Sequence, residues 1–236
     1  MTTPDWLERT SLLMGPDKME RFHRAHVLVV GTGGVGAYAA EMLVRAGIGR
    51  LTLLDADRVQ PSNINRQLCA LHSTVGEEKV RVLGLRFKDI NPELDLTVRA
   101  EFLEEHSAGA LLDSAKFDFI VDAIDTIAPK CALIEEAMKR RIRIVSSMGA
   151  GAKTDITQIR FADLWETFHC GLSKAVRARL KRDGMRRPLP VVFCAQQADP
   201  AALVQGERNK KTTTGTVSYM PAVFGCYLAQ YVISRL

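Results

Sequence analysis

The stretch HVLVVGTGGVGAYAAEMLVRAG (26–47) sets the strongest limit on the fold. Its first five residues are almost continuously apolar, as a strand buried on both faces of a parallel sheet must be. Gly31, Gly33 and Gly36, with Gly34 beside them, then complete G-x-G-x-x-G ahead of apolar residues at helical spacing. Glycine lets the chain turn tightly and lets backbone N–H groups approach a phosphate at the positive end of a helix. A chain built this way starts a β-α-β unit around a nucleotide. The turn by itself fits a nicotinamide, a flavin or ATP.

The rhythm continues. Residues 51–55, 96–98, 117–125 and 142–147 read as further strands, and 35–46, 75–90 and 129–141 as helices. The order β-α-β-α-β-α-β-α-β over about 125 residues predicts an α/β fold, a doubly wound, mostly parallel Rossmann-like sheet with right-handed crossovers. After residue 150 the pattern changes. ITQIRFADL (156–164) reads as an edge strand, 170–183 as a basic helix and PLPVVFCA (188–195) as another strand. The polar, turn-rich stretch 198–216 reads as a mobile loop, and 218–236 as a final helix packed on the core. This divides the chain into an N-terminal helical segment (1–25), a nucleotide-binding domain (26–155) and a C-terminal α/β extension (156–236).

Composition narrows the setting. With 236 residues, 47% of them hydrophobic and 25% charged, the chain can bury a full α/β core. It has no apolar run of the roughly 18 residues a membrane span needs. The opening MTTPDWLERT has no basic stretch followed by an apolar one, so a secretory signal is not expected and the cytoplasm is the default. Five cysteines, Cys69, Cys131, Cys170, Cys194 and Cys226, form no C-x-x-C pair, which argues against a four-thiolate zinc site. The net charge of +5 gathers late, at Lys174, Arg177, Arg179, Lys181, Arg182, Arg186 and Arg187, then at Arg208, Lys210 and Lys211. A polyanionic partner is compatible with that distribution.

The loop DADRVQPSNINRQL (55–68) separates the nucleotide readings. Asp55 closes the second strand, where a carboxylate accepts ribose hydroxyls. A dehydrogenase needs nothing more there. Here Asn63, Arg66 and Gln67 crowd into five residues and Lys79 opens the next helix. Arg66 and Lys79 supply two cations able to hold a triphosphate and take up charge as pyrophosphate departs. Asp125, at the end of the fourth strand, is placed to hold magnesium bridging phosphate oxygens. Taken singly, each has an ordinary explanation as a turn cap or surface charge. Gathered around one glycine turn, they point to ATP.

GTGGVG, D-x-D-x-V-x-x-SNINRQ, TVGEEK and VDAID together resemble the adenylating domain of the MoeB/ThiF/HesA superfamily, the fold shared with ubiquitin-like-modifier-activating enzymes. The resemblance implies adenylation of a carboxylate by ATP and Mg2+, with release of pyrophosphate. It assigns Asp55 to the ribose, and Asn63, Arg66, Gln67 and Lys79 to the ribose and polyphosphate. Asp57 belongs to the same motif, and Asp125 corresponds to the magnesium ligand. Arg9, in LERTSLLMG, resembles the N-terminal arginine that reaches ATP in the neighbouring subunit of homodimeric members. The superfamily's usual Asp-Asn pair is Asp125–Thr126 here, a departure on the adenine side.

The segments AGIGRLTLLD, VDAIDTIAPKCALIEEA and MGAGAKTDITQIRFADL, followed by LSKAVRARLKR, resemble the branch that dehydrates threonylcarbamoyladenosine in tRNA. That branch implies a tRNA substrate modified at position 37, of the ANN-decoding set, cyclised with loss of water. The basic helix 174–187 and residues 208–211 would then contact phosphates. The alternative is an enzyme that adenylates the C-terminus of a ubiquitin-like sulfur carrier. It would use a sulfur-transfer partner protein, and Cys170 or Cys194 would serve as a relay. Met148, Gly149 and Gly151 are candidates to line the crevice, and His72 and His169 read as structural.

Overall fold

The structure is a computed structural model that describes residues 4–204 and 213–236. Helices α1 (Glu8–Met14) and α2 (Pro16–Arg24) precede β1 (His26–Val30), α3 (Gly36–Arg45) and β2 (Arg50–Leu54). Then come α4 (Lys79–Ile90), β3 (Asp95–Arg99), α5 (Ala108–Asp113), β4 (Phe119–Asp122), α6 (Ile127–Lys139) and β5 (Arg143–Ser147). The second part contributes β6 (Ile159–Asp163), α7 (Gly171–Arg182), β7 (Pro190–Cys194), the two-residue strands β8 (Leu203–Val204) and β9 (Thr213–Thr214), and α8 (Tyr219–Ile233).

Seven strands form one sheet in the order β3-β2-β1-β4-β5-β7-β6. All neighbours are parallel except β6 with β7, so ITQIRFADL does supply an edge strand. The continuous apolar character of β1 now has its reason. Val27 and Val29 enter the core under α2, α3, α4 and α8, while Leu28 and Val30 enter the core under α5, α6 and α7. A strand covered on both faces has no polar side to show. Phe22, Phe87 and Phe224 fill the first core, and Ile120, Ile134 and Phe193 the second.

Two expectations change at their edges. The fourth strand ends at Asp122 rather than at 125, because Asp122 turns the chain out of the sheet through its own side chain, as described below. The stretch read as a loop at 198–216 contains a short antiparallel ladder of β8 with β9. Residues 205–212 between them, with Arg208, Lys210 and Lys211, lie outside the described residues.

At the start of β1, the buried His26 ring bonds Thr52 Oγ1 at 2.9 Å from Nε2 and packs, tilted by 56°, at 4.6 Å from the Phe117 ring. Burial, with Arg50 adding to it, pushes its pKa below the ordinary value against the opposing pull of Asp95 and Asp118. A depressed histidine binds fewer protons folded than unfolded, so stability is complete above the unfolded value of about 6.5 and falls as pH drops through the window beneath it. Urea titrations across pH 5 to 8 should show that fall, and His26→Gln should flatten it.

Candidate active site

Parallel strands end at one edge, so β1, β2, β4 and β5 deliver Gly31, Asp55, Ala123 and Met148 to the same side of the molecule. Strand order reverses between β1 and β4, and a crevice opens where the two crossovers diverge. The glycine turn lies there. Gly31 adopts φ +85°, and a Cβ on it would stand 2.7 Å from Ala123 O. A Cβ on Gly36 would overlap Gly31 O, so the turn and the start of α3 close on each other. Gly33 differs: its Cβ would meet nothing nearer than Gln67 Nε2 at 3.8 Å. The room in front of Gly33 is open rather than filled by the protein. In the first turn of α3, Ala37 N donates to Gly33 O at 3.2 Å and Ala39 N to Val35 O at 3.1 Å, and the positive end of the helix dipole there favours an anion. Gly34 sits between the Arg66 stem and Pro221 of α8.

The residues of the 55–68 loop gather at this turn. Asp55 Oδ2 accepts from Thr32 N at 2.6 Å and Thr32 Oγ1 at 3.0 Å, and Oδ1 accepts from Asp57 N at 2.8 Å. A carboxylate has about four acceptor positions, so room for a hydroxyl remains on Oδ1. Asn63 is buried and its Oδ1 accepts from Gln60 N at 3.0 Å, which leaves its Nδ2 to donate elsewhere. Gln67 is buried too, and its Oε1 has no hydrogen-bond partner among the described residues. A buried amide oxygen left this way costs roughly 1–3 kcal/mol unless something supplies a donor. Arg66 Nη1 donates to Ser62 O at 2.9 Å and Asn65 Oδ1 at 2.8 Å, both neutral, so its charge is not spent on a carboxylate. An open Gly33, an orphaned Gln67 and an uncommitted cation fit a polar, anionic ligand such as ATP.

Two site residues differ from the simplest expectation. Lys79 is buried and its Nζ bonds Asp57 Oδ2 at 2.7 Å, so its charge is already paired with the exposed Asp57. Arg9 is exposed on α1 and is not brought to the turn. The neighbouring Leu7 packs beside Gly47, past the C-terminal end of α3. Ten helical residues, about 15 Å, separate that end from the glycine turn.

Asp125 is exposed on the loop three residues beyond β4. Its loop is held by groups the sequence reading did not single out. Asp122 and Lys130 form an ion pair of 2.7 Å in which both side chains are 0% exposed. Ser146 Oγ donates to Asp122 Oδ2 at 2.6 Å, Ile124 N to Asp122 Oδ1 at 3.0 Å, and Lys130 Nζ to Ile124 O at 2.9 Å. A lysine near the start of PKCALIEEA, among residues that face a core, was the available signal. No group of three or more metal-ligating side chains occurs among the described residues. A magnesium ion at Asp125 would therefore draw its remaining ligands from phosphate oxygens and water, as it commonly does.

The cysteines and histidines divide clearly. Cys170 is half-buried at the N-terminus of α7, its Sγ accepting from Gly149 N at 3.4 Å and Ser173 N at 3.5 Å. Cys194 is buried at the end of β7. Nearby Lys153 is buried, and that burial lowers its pKa. His169 bonds Ala195 O at 3.0 Å, and His72 lies exposed in a short turn. Met148 is in the core. The basic helix is partly committed: Arg177 is bonded to Leu164 O, Thr167 and Ser173 Oγ, and Arg179 to Glu105 and Asp183.

A glycine turn at a reversal of strand order, faced by a buried amide oxygen without a donor and a guanidinium not paired with a carboxylate, defines a nucleotide-binding protein of the doubly wound α/β class. The chain belongs to the ThiF family, whose pattern matches residues 7–236. It is 36% identical over 241 residues to the tRNA threonylcarbamoyladenosine dehydratase of Bacillus subtilis, covering 97% of this chain and 93% of that one. The crystal structure of Escherichia coli tRNA threonylcarbamoyladenosine dehydratase, TcdA, in complex with ATP superposes with a TM-score of 0.90 at 33% identity, covering 100% of this chain and 96% of that one. Its complex with AMP gives 0.89. The molybdopterin-synthase adenylyltransferase of Escherichia coli is 32% identical over 154 residues, 65% of this chain and 61% of that protein.

Removing one partner of a buried ion pair leaves an uncompensated charge and costs about 3–5 kcal/mol, whereas replacing both with apolar groups costs far less. Lys130→Met should therefore lower unfolding free energy by that amount in urea titrations, and Lys130→Met with Asp122→Leu should recover most of it.

Proposed function

We propose that this chain is an ATP-dependent tRNA threonylcarbamoyladenosine dehydratase. The observation that carries the reading is the cradle at the turn, where Gly33 leaves open space and buried Gln67 Oε1 lacks a donor. ATP activates the substrate carboxylate by transfer of its adenylyl group, with pyrophosphate leaving. The substrate's own amide or carbamoyl atom then closes the ring and expels AMP, for a net loss of one water. The nucleophile is internal to the substrate, so no thiol of the enzyme is required, in keeping with the absence of C-x-x-C.

The chain's residues position and neutralise. Asp55 accepts a ribose hydroxyl and the Asn63 and Gln67 side chains bond the ribose and phosphates. The glycine turn and the positive N-terminal end of α3 hold phosphate, and Arg66 takes up charge on the departing pyrophosphate. Lys79 can share its ammonium between Asp57 and a phosphate, because Asp57 faces solvent and can be rehydrated. The Asp125 carboxylate would hold Mg2+. The substrate belongs in the space next to the Asp125 loop, toward Gly149 at the end of β5, and is the ANN-decoding tRNA set modified at position 37.

The functional unit is a homodimer in which Arg9 serves the neighbouring subunit's turn. Its own turn is out of reach, and the exposed Trp6, Leu12 and Leu13 around it offer an apolar surface, the leucines at 80% and 79% exposure. The sulfur-carrier reading is weaker, because likeness to an enzyme of that kind covers 65% of this chain rather than nearly all of it.

The test incubates pure protein with ATP, Mg2+ and threonylcarbamoyladenosine-bearing tRNA and weighs the digested nucleosides. A nucleoside one water lighter should form in step with AMP. Arg66→Ala and Asp125→Ala should each slow AMP release by about 100-fold or more, the usual scale for removing one charge-stabilising group. Unchanged nucleoside, with AMP release that depends instead on a carrier protein, would replace this reading with the sulfur-carrier one.

A further inference from the structure

The strongest unassigned feature lies at the opposite edge of the sheet from the glycine turn, where β4, β5 and β7 begin. Arg141, Arg143, Arg187 and Arg235 line a cleft of about 420 Å3 with Phe119 and Tyr231 among its walls. All four arginines are exposed and no acidic residue lines the cleft. Among the described residues none of the four pairs with a carboxylate, whereas Arg179 on nearby α7 pairs with both Glu105 and Asp183. A solvated surface normally disperses its cations among carboxylates in that second manner. Gathering four without any raises the local potential and favours an anion.

Two of the arginine side chains are also held. Arg143 donates from Nη1 to Arg235 O at 2.7 Å and lies over the Phe119 ring at 5.2 Å, and Arg235 lies over Tyr231 at 3.5 Å. The Arg187 carbonyl accepts from Trp165 Nε1 at 2.9 Å, which fixes its backbone. Three separate sequence segments, KRRIR (139–143), KRDGMRR (181–187) and the C-terminal SRL (234–236), thus converge on one site. Helix α7 connects this site to the catalytic crevice. Its first residues adjoin Gly149 through Cys170, and its 12 residues run about 18 Å to Arg182, with Lys174 and Lys181 exposed along the way. A small anion would fill only one end of such a track. A nucleic-acid backbone spans it.

We propose that the Arg141–Arg143–Arg187–Arg235 cleft holds backbone phosphates of the tRNA whose modified base occupies the crevice at the glycine turn. This rests on the dehydratase reading for the identity of the RNA. The contacts are to phosphates, so they act on affinity and not on the chemical step.

The double variant Arg141→Glu/Arg187→Glu tests this in the full chain, with threonylcarbamoyladenosine-bearing tRNA as the probe. Its Kd for tRNA should rise at least 10-fold, and the slope of log K against log salt should shrink by roughly 1.5 for two lost phosphate contacts. KM for tRNA should rise while kcat and ATP binding stay within about threefold, a split that a folding defect would not give. Arg141→Lys/Arg187→Lys should keep near-normal affinity. An equal charge change at exposed Arg24 and Arg81 should matter much less. If the cleft variant binds tRNA like the wild type, or no worse than the Arg24/Arg81 variant, the cleft proposal is wrong. If the wild type binds tRNA with the stated salt slope but yields no lighter nucleoside, the dehydratase reading fails and the cleft stands.

Discussion

A lysine ammonium and an aspartate carboxylate, both fully withdrawn from water, set the shape of the crevice. Asp122 has four demands on it: Lys130, the Ser146 hydroxyl, the Ile124 amide and its own place at the end of β4. Together they bend the chain out of the sheet at one residue, place Ala123 O against Gly31, and leave Asp125 exposed on the loop that follows. Charge in a low-dielectric interior is costly, and it persists here because every partner is satisfied. The glycine turn on one side of the reversal and the Asp125 loop on the other are therefore one mechanical unit.

The two edges of the sheet carry different electrostatics. At the C-terminal edge charges are mixed and mostly bonded: Asp55 to Thr32, Lys79 to Asp57, with Arg66 left available. That suits a ligand with a sugar and phosphates, which needs donors and acceptors in fixed positions. At the N-terminal edge the cleft carries arginine alone. That suits a partner recognised by its repeating negative charge. Helix α7 belongs to both edges, and its internal bonds from Arg177 and Arg179 tie it to the rest of the protein.

Much of this was legible in the chain itself, and the parts that were not share a cause. HVLVV matched its strand residue for residue, because burial on two faces leaves a composition no other local structure requires. The turn, Asp55 and the 63–67 cluster were legible because they are close in sequence as well as in space. Lys130 was not, since its partner Asp122 lies eight positions away across a loop and a helix start. Nor was the end of β4: VDAID alternates no differently at 122 and 125, and only the side-chain bonds decide where the sheet stops. The arginine cleft required three distant segments to meet, and no local pattern announces that. The commitment of Lys79 to Asp57 was hidden for the same reason.

The position of Arg9 has a genetic consequence. In the homodimer proposed above, Arg9, seated past the C-terminal end of α3, would act in the partner's crevice. In a dimer each crevice is then encoded by two copies of the chain. Two inactive proteins, one lacking Arg9 and the other lacking Asp125, would upon exchange of subunits make a mixed pair with one crevice intact and the other doubly broken. Activity regained from two dead parents, at a fraction set by random pairing, is the behaviour this arrangement gives rise to.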